Sequence, residues 1–92
     1  MFLKVEWIHN FHDEPVLIYS EIDEQRYEIR KIEIFRDGKI SYASKEKQTG
    51  NTYLSELPLP TIEEIRKDPQ FIPCIITEEE FNDIWEKIVG TD

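Results

Sequence analysis

The segment His9–Glu14, HNFHDE, holds the side chains of this sequence that are best suited to bind a metal ion. It contains the imidazoles of His9 and His12 and the carboxylates of Asp13 and Glu14, and both kinds of group are ordinary metal ligands. A closed metal site needs three or four converging ligands, and no second cluster accompanies this one. Because Pro15 follows directly, we interpret the segment as a polar loop between strands, and we predict neither a metal site nor a cofactor.

Pairs of neighbouring carboxylates could perform general acid–base chemistry if a pocket brought them together. The pairs are Asp13/Glu14, Asp23/Glu24, Glu63/Glu64 and Glu78/Glu79. Such chemistry needs two carboxyl groups in different environments within one pocket, and the last two pairs are already explained by the start of a helix. The sequence has no glycine-rich phosphate loop and no Ser-His-Asp or Cys-His pattern. It assigns no catalytic residue and favours a protein that is not an enzyme.

An irregular strand pattern around Arg30 supplies a different kind of candidate. Tyr27 and Ile29 share one side of an extended chain, whereas Ile32 and Ile34 share the other, so the apolar side changes near Arg30. Either a β-bulge lies at Arg30–Lys31, or the two halves of the strand are covered on opposite faces. A guanidinium beside a bulge can hold an anionic group through two parallel hydrogen bonds. The simpler interpretation, which we favour, is that the bulge only bends the strand.

The elements that must position these residues are organised around a hairpin within Arg26–Ala43. A two-residue turn at Asp37-Gly38 would leave both faces mixed in polarity. A three-residue loop shifts the register by one residue and moves every side chain to the other face. It creates two apolar cross-strand pairs on one face, Ile34 with Ile40 and Ile32 with Tyr42. We predict this register, with Gly38 in the left-handed conformation of a G1 bulge.

The remaining strands are shorter. The alternation of Leu3, Val5 and Trp7 predicts a first strand, and Val16–Ile22 predicts a second. Thr52–Leu54 could add a short edge strand. The segment FIPCII, residues 71–76, is predicted either to cross the core or to form an edge strand, because proline cannot donate to a central ladder. Its neighbours are apolar, so we expect Cys74 to be a buried small hydrophobe.

Two helices follow from their capping residues. Thr61 with Glu64 forms a capping box for a short helix, which Pro69 ends. Thr77 with Glu80 repeats the pattern at the start of a second helix. That helix carries one apolar stripe, formed by Phe81, Ile84, Trp85, Ile88 and Val89. We therefore predict one α+β domain over residues 1–92: an antiparallel β-meander of about four strands, with the C-terminal amphipathic helix and the short preceding helix packed on one face.

The charge of the chain restricts its partners. Twenty acidic and 11 basic residues give a formal net charge of −9. Such a surface repels phosphate backbones and anionic lipid, so we predict no nucleic-acid and no membrane binding. The lone Cys74 cannot form an internal disulfide, and neither a signal peptide nor a membrane span is recognisable. These features predict a cytoplasmic location. The charge fits a basic protein partner, or it serves solubility alone.

Several segments together resemble a family of small uncharacterised bacterial single-domain proteins. They are Trp7-Ile8-His9, Asp13-Glu14-Pro15-Val16, Tyr19-Ser20-Glu21, Arg26-Tyr27-Glu28, Arg30-Lys31 and Asp37-Gly38, with Glu79-Glu80-Phe81 and Trp85 further on. The resemblance covers most of the chain and implies a bacterial stand-alone domain without assigning catalytic residues. It also implies proline at the position of His12, which weakens the metal-site interpretation.

Two functions from different classes fit these observations. The favoured one is a non-enzymatic protein-interaction module, for example an immunity-like or antitoxin-like protein that covers a basic partner such as a nuclease toxin. The predicted contacts are carboxylates at strand ends, namely Asp13, Glu14, Glu21, Asp23 and Glu24. The alternative is a small enzyme or ligand-binding domain. Its site would gather Tyr19, Tyr27, Arg30 and the His9–Glu14 loop.

Overall fold

A computed structural model describes residues 1–90, in which five strands form one antiparallel sheet. The strands are β1 (Phe2–Trp7), β2 (Leu17–Ile22), β3 (Glu28–Ile34), β4 (Ile40–Ala43) and β5 (Phe71–Ile76). Their order across the sheet is β4-β3-β2-β1-β5, and two helices complete the fold, α1 (Ile62–Arg66) and α2 (Glu78–Val89). The predicted α+β class is confirmed. The sheet has five strands rather than about four, because β5 pairs with β1 along its whole length, whereas Thr52–Leu54 is not a strand.

The predicted hairpin register is confirmed between β3 and β4. Ile34 pairs with Ile40 and Ile32 with Tyr42, so the apolar side chains share one face. The N–H of Gly38 donates to the carbonyl oxygen of Phe35 at 2.9 Å and closes the three-residue loop. Gly38 has φ +90°, in the left-handed region that the bulge requires.

Replacing Gly38 by alanine is expected to lower the free energy of unfolding by about 1 kcal/mol. The loss comes from the backbone conformation alone, because a Cβ at this position would meet no atom within 4 Å. Urea unfolding measures it. Gly38→Asn is the matched control, since asparagine tolerates the left-handed region and should lose less. An asparagine variant no more stable than the alanine variant would contradict this account.

One face of the sheet, which we call the helix face, packs against α2. Its buried residues are Tyr19, Ile32, Tyr42 and Ile76, with Phe2, Leu17 and Ile34 partly buried around them. Phe81 of α2 is completely buried, and its ring lies 5.4 Å from that of Phe2. The predicted capping box is complete at Thr61, whereas at Thr77 only its first half is present, the N-cap hydroxyl accepting from the N–H of Glu80. The apolar stripe of α2 thus covers the sheet, although Val89 at its end is 38% exposed.

The opposite face, which we call the loop face, carries Leu3, Val5, Ile18, Ser20 and Lys31. The irregular segment of residues 44–61 crosses it, and α1 follows at the side of β5. Ile65 of α1 lines the same cavity as Leu3, Val5 and Ile18. The two helices therefore lie on opposite faces of the sheet and not on one face. The reason is that side chains of both parities in β1 and β2 are apolar, so both faces need cover.

One side chain of the edge strand β5 that the sequence predicts to be buried is exposed in the structure. Cys74 is exposed, although its apolar neighbours predict burial. It lies opposite Lys4 on the helix face, at the sheet edge, whereas Ile76 of the same strand belongs to the core under α2. Pro73 stands in this edge strand, where a missing N–H is tolerated. Within residues 1–90, neither helix has the length and apolar character needed to cross a membrane.

Candidate functional site

A β-bulge in β3 determines which side chains reach the loop face. Glu21 pairs with Arg30, but the next residue, Ile22, pairs with Glu28, so Ile29 is the extra residue. The irregularity predicted at Arg30–Lys31 therefore exists and lies slightly earlier in the strand. A bulge reverses the alternation of side chains. It sends Glu28 to the loop face and leaves Arg30 on the helix face.

Glu28 lies buried on the loop face and holds the crossing segment in place. Its Oε1 atom accepts a hydrogen bond from the N–H of Ser55 at 2.6 Å. The same oxygen forms an ion pair with Nζ of Lys31 at 3.3 Å. The other oxygen, Oε2, accepts from Oγ of Ser20 at 3.5 Å, near the limit for a hydrogen bond. The side chain of Glu28 is only 1% exposed, so these partners and not solvent satisfy its charge.

Glu28 is also part of the wall of an apolar cavity of about 340 Å³. Its floor consists of Leu3, Val5 and Ile18, and Leu59, Pro60, Ile65 and Phe71 form further walls. Small-molecule sites usually have about 300–1,000 Å³ and mostly apolar walls with a few polar groups. This cavity is at the lower end of that range, and its polar lining residues come from the sheet and from the α1 region: Ser20, Glu28, Lys31, Glu64 and Asp68.

The charged residues that line this cavity are mostly acidic. They are Glu28, Glu64 and Asp68, against the single ammonium group of Lys31. The backbone N–H and the hydroxyl of Thr61 donate to Glu64, and these bonds hold the pKa of that carboxyl below its usual value of 4.5. Glu64 is therefore ionised at neutral pH. Because Lys31 and Glu28 offset each other, the cavity combines apolar walls with the exposed carboxylates of Glu64 and Asp68.

Arg30 lies on the opposite side of the sheet and is already engaged. Its Nε atom bonds to Oε1 of Glu21, and Nη2 donates to Oδ1 of Asn82 at 2.9 Å. Its guanidinium carbon lies 4.7 Å from the centre of the Phe81 ring and 5.1 Å from that of Trp85. The hydrogen bond to Asn82 and the cation–π packing fasten α2 to the sheet, whereas the ion pair with Glu21 joins β3 to β2. Arg30 here acts as a connection between β3 and α2.

The His9–Glu14 loop is held together by its own histidine. The N–H of Phe11 donates to Nδ1 of His9 at 2.9 Å, so the proton resides on Nε2, which donates to the carbonyl oxygen of Pro15 at 2.8 Å. The imidazole also packs against Trp7, with ring centres 4.4 Å apart. Both nitrogens of His9 are thus used within the loop. Among residues 1–90, no group of three or more potential ligands is close enough to hold a metal ion.

The other candidate residues from the sequence lie apart from one another. Tyr19 is buried under α2, whereas Tyr27 is exposed beside the turn between β2 and β3. Oδ1 of Asp23 accepts from the N–H groups of Gln25 and Tyr27 and shapes that turn. Three further carboxylates are exposed, those of Asp13, Glu14 and Glu24. The structure therefore does not bring Tyr19, Tyr27, Arg30 and the His9–Glu14 loop into one site.

The sequence analysis does not identify two features of the structure, the buried Glu28 and the exposed acidic side of α2. The role of Glu28 cannot be recognised from the sequence, because a shift of one residue in the position of the bulge changes the face of the sheet on which its side chain lies. The outer side of α2 carries Glu79, Asp83 and Glu86, all exposed. Their spacing of four and three residues, opposite the stripe that contains Phe81, is a signal that the sequence does hold.

Comparisons with known proteins place the chain in a family without indicating an activity. Comparison with curated proteins and with solved structures finds no match. A family model described as a domain of unknown function, DUF6881, matches residues 1–90. The match extends over every strand and both helices described above. The chain therefore belongs to the DUF6881 family.

Proposed function

We propose that this domain is a non-enzymatic interaction module that binds a basic protein partner. The observation that carries the proposal is the outer side of α2, where Glu79, Asp83 and Glu86 are exposed opposite the buried Phe81. Lys87 is the one basic residue within α2. The helix thus presents a row of carboxylates directly to solvent. We call these three residues the α2 acidic row.

The stability of the helix does not explain this row. Like charges at spacings of three or four residues destabilise a helix by a few tenths of a kcal/mol, and both spacings occur here, between Glu79 and Asp83 and between Asp83 and Glu86. Lys87, four residues after Asp83, offsets only part of this cost. Acidic residues in the first turn are favoured by the helix dipole, but Asp83 and Glu86 lie beyond that turn. A function in binding gives the row a reason that local stability does not supply.

The overall charge supports the same partner chemistry. With a net charge of −9, the protein attracts a basic surface over a distance set by the ionic strength. Electrostatic complementarity speeds the encounter and favours the correct partner. The exposed carboxylates of Asp13, Glu14 and Glu24 add to this field. An immunity-like or antitoxin-like role, in which the domain covers a basic toxin, is the concrete form of the proposal.

Neutralising the α2 acidic row is expected to slow association with the partner by about tenfold. The test variant carries Glu79→Gln, Asp83→Asn and Glu86→Gln. The matched control carries Glu46→Gln, Glu56→Gln and Glu63→Gln, three exposed residues on other elements, so both variants change the net charge equally. Proteins captured from the source organism are identified by mass spectrometry. The captured basic protein is then purified, and its association rate is measured at low and high salt.

The proposal requires a purified basic partner whose association rate falls with salt and falls further in the test variant than in the control. Equal rates for the two variants would mean that only net charge matters and that α2 is not the contact surface. A partner that is not basic, or a rate that does not depend on salt, would remove the proposal altogether.

A further inference from the structure

We propose that an open cleft between the end of β1 and the start of β2 receives an arginine side chain of the basic partner. The cleft has a volume of about 400 Å³. We call it the Phe11 cleft, and its lining residues are Trp7, Asn10, Phe11, His12, Asp13 and Glu14. The inference rests on the proposed function for the identity of the partner, but it uses a surface that the α2 acidic row does not include.

The aromatic wall of the Phe11 cleft is exposed and yet held in position. The side chain of Phe11 is 60% exposed. The ring of His9 stacks on it, with the ring centres 5.3 Å apart and the planes 28° apart, and covers one face. The large exposure leaves the other face open to a partner. A cation above an aromatic face is attracted by the charge distribution of the ring.

The loop that carries this ring is fixed by its own hydrogen bonds. The N–H of Phe11 donates to Nδ1 of His9 at 2.9 Å, and Nε2 of His9 donates to the carbonyl oxygen of Pro15 at 2.8 Å. At the base of the cleft, Nε1 of Trp7 donates to Oε1 of Gln70 at 3.3 Å. The cleft is therefore formed before the partner arrives, which lowers the entropic cost of binding.

The acidic wall of the cleft consists of carboxylates that the domain itself does not use. Asp13 and Glu14 are exposed, and within residues 1–90 neither side chain takes part in a hydrogen bond or an ion pair. Among the lining residues, only His12 can carry a positive charge. The guanidinium of Arg36 lines a different cleft and donates to the carbonyl oxygen of His9. The Phe11 cleft therefore attracts a cation and repels an anion.

An arginine matches both walls better than a lysine does. The guanidinium group is planar, stacks on aromatic faces and presents paired donors that fit a carboxylate. An ammonium group is compact and strongly hydrated, so it would meet the carboxylates without stacking on the ring. The open shape of the cleft favours a side chain presented by a protein, because sites for free small molecules bury most of the surface of their ligand.

The experiment titrates three blocked tripeptides into the protein, each with glycine at both ends and with arginine, lysine or citrulline in the middle. Citrulline has nearly the shape of arginine without its charge. NMR follows the indole N–H of Trp7 and the backbone N–H of Phe11. We expect the arginine peptide to bind with a dissociation constant of about 10 mM or lower. Its affinity should exceed that of the lysine peptide at least about threefold and that of the citrulline peptide at least about fivefold.

Two variants test the walls of the cleft separately. Asp13→Asn combined with Glu14→Gln keeps the shapes and should weaken binding of the arginine peptide at least about fivefold. The matched control, Glu46→Gln with Glu56→Gln, changes the net charge equally at exposed residues on another segment and should keep the affinity within about twofold. Phe11→Leu retains an apolar side chain without the ring, and it should reduce the preference for arginine over lysine to less than about twofold.

Three results would overturn the inference. The first is equal affinity of wild-type protein for the arginine and lysine peptides, which would show attraction by charge alone. The second is an unchanged affinity in the variant of Asp13 and Glu14. The third is a set of shifts on α2 and not on Trp7 and Phe11, which would show that the α2 acidic row binds the guanidinium.

The same measurements separate this inference from the proposed function. The triple variant of the α2 acidic row should bind the arginine peptide within about twofold of the wild-type protein, because that row does not line the cleft. A captured basic partner together with peptides that ignore the cleft would overturn the inference and leave the proposed function standing. A source organism that yields no basic partner would remove the proposed function, even where the arginine peptide binds the cleft.

Discussion

Replacing Phe81 by alanine is expected to lower the free energy of unfolding by about 3–5 kcal/mol. Phe81 is 0% exposed and contacts the rings of Phe2 and Trp85, with the guanidinium of Arg30 over its face. The truncation removes apolar contacts and leaves a cavity that the surrounding side chains fill only in part. A domain has only about 5–15 kcal/mol of stability in total. We therefore expect the loss to take a large part of that stability and to lower the melting temperature by at least about 12 °C.

Urea unfolding followed by tryptophan fluorescence measures this change, because Trp85 lies beside Phe81. Phe11→Ala is the matched control: it makes the same change at a residue that is 60% exposed, and it should cost less than about 1 kcal/mol. If the two variants lost the same stability, α2 would not be packed on the sheet through Phe81.

Replacing Glu28 by alanine is expected to cost about 3 kcal/mol, although the side chain is polar. Its removal leaves the N–H of Ser55 without its acceptor and the ammonium group of Lys31 without its ion pair, in a largely buried setting. Breaking one partner of a buried pair costs more than the pair itself contributes. The crossing segment should loosen first, since Glu28 holds it to β3.

Amide hydrogen exchange distinguishes this mechanism from general destabilisation. In Glu28→Ala we expect the amide of Ser55 to lose protection more than the amides of β1 and β2 do. Glu28→Gln should recover part of the loss, because the amide oxygen can still accept from Ser55. Glu24→Ala, at an exposed acidic residue, is the control and should change stability by less than about 0.5 kcal/mol. A similar small loss in Glu28→Ala would contradict the role assigned to this carboxylate.

The parts of the fold that follow from local pattern could be predicted from the sequence. The hairpin register followed from the parity of Ile32, Ile34, Ile40 and Tyr42 together with the turn at Gly38, all within one short segment. The two helix starts followed from Thr61 and Thr77. In each case the decisive interactions join residues that are near one another in the chain.

The parts that depend on distant contacts could not be predicted in the same way. The crossing segment of residues 44–61 has no periodicity, so nothing in its sequence indicates that it covers the loop face. The exposure of Cys74 depends on where α2 lies, and that is decided by distant contacts with all five strands, which include Ile76 of β5 but not Cys74. The cavity depends on a bulge whose position was predicted near Arg30–Lys31 and lies at Ile29. A shift of that size decides whether Glu28 or its neighbour reaches the cavity.

The edge strand β5 also affects whether copies of this protein can polymerise. In an antiparallel pair, successive residues of an edge strand direct their backbone N–H and C=O groups alternately toward the neighbouring strand and away from it. The N–H of Ile8 donates to the carbonyl oxygen of Gln70, so Gln70 faces β1, and Phe71, Pro73 and Ile75 direct their backbone groups away from the sheet. The N–H of Phe71 is used by Asp68, and Pro73 has none, so Ile75 supplies the one outward donor of β5. A second sheet could not form a regular ladder there, although Ile72 and Ile75 are exposed. Pro73 thus removes one of the backbone donors that a second sheet would need along β5, which disfavours fibril growth at that edge.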